Sequence, residues 1–142
     1  MIEIVIPQTP VGKGRARFVK ATGRAFTPQK TVAFEGLVAL AGQEAMDGRP
    51  PLTGPLHIVV TAYFPIPASK PKKWQAAALD GRERPTKKPD ADNIQKAICD
   101  ALNEIVYIDD AQIVDATVRK FYSATPRTVV QITEINAGGI FG

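Results

Sequence analysis

Apolar and polar positions alternate at the start of the chain. Ile2, Ile4 and Ile6 interleave with Glu3 and Val5, which predicts a short strand stopped by Pro7 and Pro10. Val11 to Thr27 has no period and carries Gly12, Gly14 and Gly23, so it reads as a long loop with room for a two-stranded flap. From Pro28 to Met46 the residues Val32, Phe34, Leu37, Val38, Leu40 and Ala41 fit a core-covering helix. Pro28 suits its first turn, and Gly48, Pro50 and Pro51 end it. Leu56 to Phe64 is β-branched and aromatic, a strand with His57 as an ordinary member. Ser69 to Leu79 fits a short helix capped by Ser69, with Trp74 as a core or hinge contact.

The strongest period lies further on. Ile94, Ala97, Ile98, Ala101, Leu102 and Ile105 recur at helical spacing and predict an amphipathic helix. Ile113 to Tyr122 and Thr128 to Ile135 read as two strands, expected to pair antiparallel around Pro126. The order β-α-β-α-α-β-β predicts an α+β fold, a small mixed sheet with helices on one face. Residues 1–135 are expected to form a single domain, with 136–142 a flexible tail.

Composition narrows the chemistry. At 142 residues, 44% apolar and 23% charged, the chain is the size of one ordinary globular domain. No stretch approaches the roughly 20 apolar residues of a membrane span. The start lacks a basic region followed by an apolar run, so an intracellular protein is expected. Cys99 and His57 are single residues of their kind, too few for a disulfide or a structural zinc site.

The net charge of +4 conceals a strong division. Gly12 to Lys30 carries six bases, Lys13, Arg15, Arg17, Lys20, Arg24 and Lys30, and no acid. Lys70 to Lys88 carries seven, among them Lys70, Lys72, Lys73, Lys87 and Lys88, against Asp80 and Glu83. Asp90 to Asp115 holds seven acids and one base, Lys96. Basic blocks of this kind are either solvated loops or a surface for a polyanion, and Phe18, Phe26 and Trp74 add rings on which bases can stack.

Within the acidic centre, Asp92 and Asn93 can cap the amphipathic helix. That does not account for Asp90, since an extended Asp-x-Asp points both carboxylates to one side. Asp92, Lys96 and Asp100 fall at i, i+4 and i+8, which by itself is a solvated ion-pair stripe worth roughly a few tenths of a kcal/mol per pair. Asp109 and Asp110 follow at a turn. If the chain doubles back after Asn103, these acids converge, and like charges so gathered take up protons or bind a cation. All-oxygen ligands suit Mg²⁺ or Mn²⁺. Such an ion beside basic loops suits phosphodiester hydrolysis. By spacing alone, Lys96 either contacts the scissile phosphate or simply pairs with Asp92 or Asp100.

Lys88 to Gln112, KPDADNIQKAICDALNEIVYIDDAQ, closely resembles the signature of RusA-like Holliday junction resolvases, small endodeoxyribonucleases of bacteria and their prophages. The shared frame is D-x-D-N-x-x-K-x-x-x-D-A-L-N, a short gap, then D-D-x-Q. The resemblance implies a cytoplasmic homodimer that recognises four-way DNA junctions and cuts two opposed strands with Mg²⁺, or Mn²⁺ in its place. It implies that Asp90, Asp92 and Asp110 are the essential acids and metal ligands and Lys96 the essential lysine. Asp109 is then a secondary metal candidate and Asp100 a supporting residue. The bases expected to hold DNA are Lys13, Arg15, Arg17, Lys20, Arg24, Lys70, Lys72, Lys73, Lys87 and Lys88, with Phe18 or Phe26 as wedges at the junction centre. One departure is Glu104, where many members have a glycine that ends the helix in the left-handed conformation. The competing readings are a less selective branched-DNA or flap nuclease, and a non-catalytic DNA-binding module whose acids only cap a helix.

Overall fold

A computed structural model of the chain describes residues 1–13, 17–19, 24–26 and 29–135, the two short runs by their backbone alone. The elements are β1 (Ile2–Ile6), β2 (Arg17–Val19), β3 (Arg24–Phe26), α1 (Gln29–Met46), β4 (Leu56–Pro65), α2 (Lys72–Leu79), α3 (Ala91–Leu102), β5 (Ile113–Ser123) and β6 (Arg127–Glu134). A one-turn 3₁₀ helix, Asp110–Gln112, leads into β5. The α+β class and element order agree with the hydrophobic pattern, and β2 and β3 form the expected antiparallel flap.

The main sheet has the order β1-β6-β4-β5, mixed, with β4 parallel to β5 and antiparallel to β6. This corrects the expected β5–β6 pair. The two strands are joined through Ala124–Pro126 yet straddle β4, so that short link spans two strand spacings, roughly 10 Å, within reach of three residues. The β-branched run of β4 favours the central place. It buries Leu56, Ile58, Val60, Ala62 and Phe64 on one face and keeps the other half-buried.

Helices α1 and α3 cover the buried face and enclose one core cluster. In α3 the stripe Ile94, Ala97, Ile98 and Leu102 is fully buried, as its period requires. Helix α1 presents Thr31, Phe34, Val38, Gly42 and Met46 inward, while Val32, Leu37 and Leu40, expected in the core, are exposed. The helix is apolar on more than one side, so composition could not choose its face. Gly42 made the choice: a Cβ there would stand 2.6 Å from Leu102 Cδ2, so the absent side chain lets the helices approach.

Two caps differ from expectation. Helix α2 begins after Pro71 without a side-chain cap, and the Gln75 amide, donating to the Lys70 carbonyl at 2.8 Å, closes its entrance in place of Ser69. Helix α3 begins earlier than foreseen, with Asp90 rather than Asp92 or Asn93 at its N-cap.

Candidate active site

The site forms where α3 crosses the start of β5. Asp92 and Lys96, one turn apart, lie on the flank of α3 beside its buried stripe. After Leu102 the chain reverses. Glu104 takes φ +68°, its N–H donates to the Tyr107 carbonyl at 2.7 Å, and Tyr107 is fully buried with its hydroxyl donating to the Cys99 carbonyl at 2.7 Å. The reversal returns Asp110 to α3, where its N–H donates to Asn103 Oδ1 at 2.9 Å. The left-handed turn foreseen for a glycine is therefore present with glutamate in its place.

Asp92, Lys96 and Asp110 line one open cleft of about 330 Å³, with Gln95, Cys99 and Ile113 among its walls. Asp90 does not. It stands in extended backbone at φ −69° and ψ 153°, while Asp92 is already helical, so the alternate-residue rule fails across this boundary. Asp90 instead lines an adjoining cleft of about 610 Å³ with Gly12, Lys30, Lys88 and Asn93. Among the described residues, no group of three or more His, Cys, Asp or Glu side chains is gathered to hold an ion.

The two carboxylates of the first cleft still fit a hard cation. Mg²⁺ keeps several waters and is commonly held by one or two carboxylates together with substrate phosphate. No imidazole lines that cleft, and burial pushes the Cys99 thiol up to about 11, with the nearby Asp110 and Asp100 charges acting the same way. Cys99 is only 4% exposed, so the accessible acidic donors of the cleft are the carboxylate oxygens of Asp92 and Asp110.

Asp109 does different work from its neighbour. Its Oδ2 accepts from the Ala111 N–H at 3.3 Å and caps the 3₁₀ turn. Gln112 completes that turn. Its Oε1 accepts from the N–H groups of Ile108 and Asp109 at 2.9 and 3.0 Å, and its Nε2 donates to the carbonyls of Leu52 and Gly54 at 2.9 and 3.0 Å. Asp100 lies outside the cleft lining and binds two bases, Lys13 at 3.3 Å and Lys96 at 3.8 Å. Lys96 remains 63% exposed, so its ammonium can still meet a ligand.

The bases divide by environment. Lys13 also meets Glu35 at 2.7 Å; that hydrogen bond, opposed by burial, raises its pKa above the ordinary lysine value. The main chain docks here too. The Lys13 N–H donates to the Asn93 carbonyl at 2.9 Å, and a Cβ on Gly12 would stand 2.6 Å from Pro89 Cβ. Lys30 and Lys88 line the Asp90 cleft and, with Lys87, Phe64 and Tyr122, a third cleft of about 330 Å³. Lys70 lies 5.1 Å over the Trp74 ring, which meets Tyr122 edge-on at 5.3 Å. Lys72 and Lys73 are exposed on α2. Arg15 and Lys20 lie outside the described residues, as do the side chains of Arg17, Arg24, Phe18 and Phe26 and the segment 136–142.

Sequence reasoning counted Lys30 in the first basic block and Asn103 and Gln112 in the family frame without giving them an individual role, and it passed over Lys120. Lys120 had a signal: it shares the inward parity of Val118 and Tyr122 along β5, an unusual place for an unpaired charge.

A family model described as Endodeoxyribonuclease RusA matches residues 7–133. A Bacillus subtilis (strain 168) protein, the uncharacterised protein YqaN, is 41% identical over 142 residues, covering 96% of this chain and 98% of that relative.

Proposed function

The chain belongs to the RusA endodeoxyribonuclease family, and on that premise we propose that it is a Mg²⁺-dependent resolvase of four-way DNA junctions, acting as a homodimer in recombination and repair. The observation that carries this reading is the meeting of Asp92, Lys96 and Asp110 in one cleft that adjoins lysine-lined grooves. Asp92 and Asp110 would hold the ion, and Asp90, at the mouth of α3, would complete its surroundings from the adjoining cleft. A divalent cation there supplies charge neutralisation for the scissile phosphate and lowers the pKa of attacking water. Lys96 offers its exposed ammonium to the phosphate oxygens. Lys87, Lys88, Lys70, Lys72 and Lys73, with Lys13, Arg15, Arg17, Lys20 and Arg24 of the first basic block, serve the DNA backbone.

A two-fold dimer gives the paired sites that symmetric cuts in a junction need. An enzyme with this substrate works in the bacterial cytoplasm, on chromosomal or phage DNA. Among the described residues no helix is long and apolar enough to cross a membrane.

Labelled four-way junctions, flaps and linear duplexes, incubated with Mg²⁺ or chelator, test the reading. Paired symmetric nicks confined to the junction support it. Equal cutting of flaps would make the protein a general branched-DNA nuclease, and binding without Mg²⁺-dependent cleavage would make it a binding module.

A further inference from the structure

Lys120 ties edge strand β5 to the segment that enters α3. Its ammonium donates to the carbonyl oxygens of Lys87 at 2.7 Å and Pro89 at 2.9 Å, and lies 5.6 Å from the centre of the Phe64 ring. Those carbonyls bracket Lys88, and that of Pro89 immediately precedes Asp90. The main chain of Lys120 is anchored in turn, since Arg84 Nε donates to its carbonyl at 2.6 Å while the guanidinium stacks 3.9 Å over Phe121. Residues 84 to 89 are therefore held to β5 at two points. Two of the three ammonium hydrogens are committed within the chain, so this base is poorly placed to serve as a phosphate contact.

Asp92 rides on a regular helix and Asp110 on a capped turn, so each is placed by its own element. Asp90 has extended backbone and, among the described residues, makes no side-chain cap bond to α3. Its carbonyl accepts the first helical bond, from the Ile94 N–H at 3.0 Å, but the extended segment before it sets the approach of its backbone to the helix. We infer that Lys120 is a positioning residue: it fixes Asp90 and Lys88, in the cleft that adjoins the Asp92–Asp110 site, by holding the carbonyls on either side of Lys88. This rests on the nuclease reading above for its purpose, but not for its geometry.

The test uses the full chain as wild type, Lys120→Met, Lys120→Gln and Lys120→Arg. Three quantities are read: amide hydrogen exchange over residues 84–92, Mn²⁺ binding by electron paramagnetic resonance, and the salt dependence of junction binding. Lys120→Met should speed exchange in that segment and weaken Mn²⁺ about tenfold, the scale on which residues supporting a ligand act. The salt slope should stay unchanged, because no phosphate contact is lost. Lys120→Arg should restore both exchange and Mn²⁺ affinity, and Lys120→Gln gives the same reading if the Met variant fails to fold. On an Asp90→Asn background the Met substitution should cost no further Mn²⁺ affinity. Unchanged exchange and Mn²⁺ binding, an equal loss on the Asp90→Asn background, or no Mn²⁺ binding by wild type overturns the proposal. Wild-type protein that binds Mn²⁺ but cuts no DNA would sink the nuclease reading alone.

Discussion

Asn103 and Asp110 are joined by a hydrogen bond from the Asp110 N–H to Asn103 Oδ1 at 2.9 Å, which brings the acid after the turn back to the end of α3. The closed loop brings two carboxylates eighteen residues apart, Asp92 and Asp110, to one cleft. Asn103→Ala should cost about 1 kcal/mol of stability, the net worth of one such bond. Cleavage should fall further than that, because Asp110 loses its register with Asp92. Urea denaturation beside junction cleavage at saturating Mg²⁺ checks the difference; full cleavage in the variant would show that the bond has no part in the site.

Glu104 occupies a left-handed conformation, φ +68°, that costs a residue with a Cβ about 1 kcal/mol relative to glycine. Glu104→Gly should therefore stabilise the protein by up to about that amount, less the extra freedom glycine brings to the unfolded chain. A lower melting temperature in the glycine variant would mean the glutamate side chain contributes something its backbone angle hides.

Asp109 and Asp110 are adjacent but should separate cleanly by experiment. Asp109→Ala removes the cap on the 3₁₀ turn and should cost about 1 kcal/mol while leaving cleavage largely intact. Asp110→Asn should leave stability nearly unchanged and abolish cleavage, because its carboxylate faces the cleft. The reverse pattern would exchange their roles.

Alkaline pH should destabilise the fold. Burial pushes the Cys99 thiol from 9.0 up to about 11 and Tyr107 well above its ordinary value, and the Glu35 hydrogen bond raises Lys13 above 10.5. Each group holds its proton more tightly folded than unfolded. Its contribution is thus complete below the unfolded pKa and is lost as pH rises through the folded one. The melting temperature should begin to fall near pH 9 and continue falling past pH 11, and Cys99→Ala should remove the earliest part. A constant melting temperature to pH 11 would contradict the burial of these groups.

Much of the fold was legible because its signals are local. The Ile2/Ile4/Ile6 alternation and the Ile94-to-Leu102 stripe each determine an element and its buried face. Strand order was not, because nothing in Thr128 to Ile135 reveals that β4, more than sixty residues earlier, lies between it and β5. The face of α1 was hidden because it turned on close approach at Gly42, a property of the packed pair rather than of either helix. In the site, residue types and spacing marked the acids. Their division between two clefts depended on where α3 begins, a boundary that Asp90, Asp92 and Asn93 could each have set. Lys120, Asn103 and Gln112 act on main-chain atoms, and apart from the inward parity of Lys120 such contacts leave little trace in a pattern of residue types.

If DNA is cut in the Asp92–Asp110 cleft, neutralising one of its carboxylates should stop cutting and spare binding. Asp92→Asn removes one charge with almost no change of shape, so it should bind a four-way junction with affinity close to wild type and a normal melting temperature. Measured with Mg²⁺ on a labelled junction, wild type should give paired nicks in opposed strands and Asp92→Asn essentially none. Undiminished paired cutting by the folded variant would contradict the account.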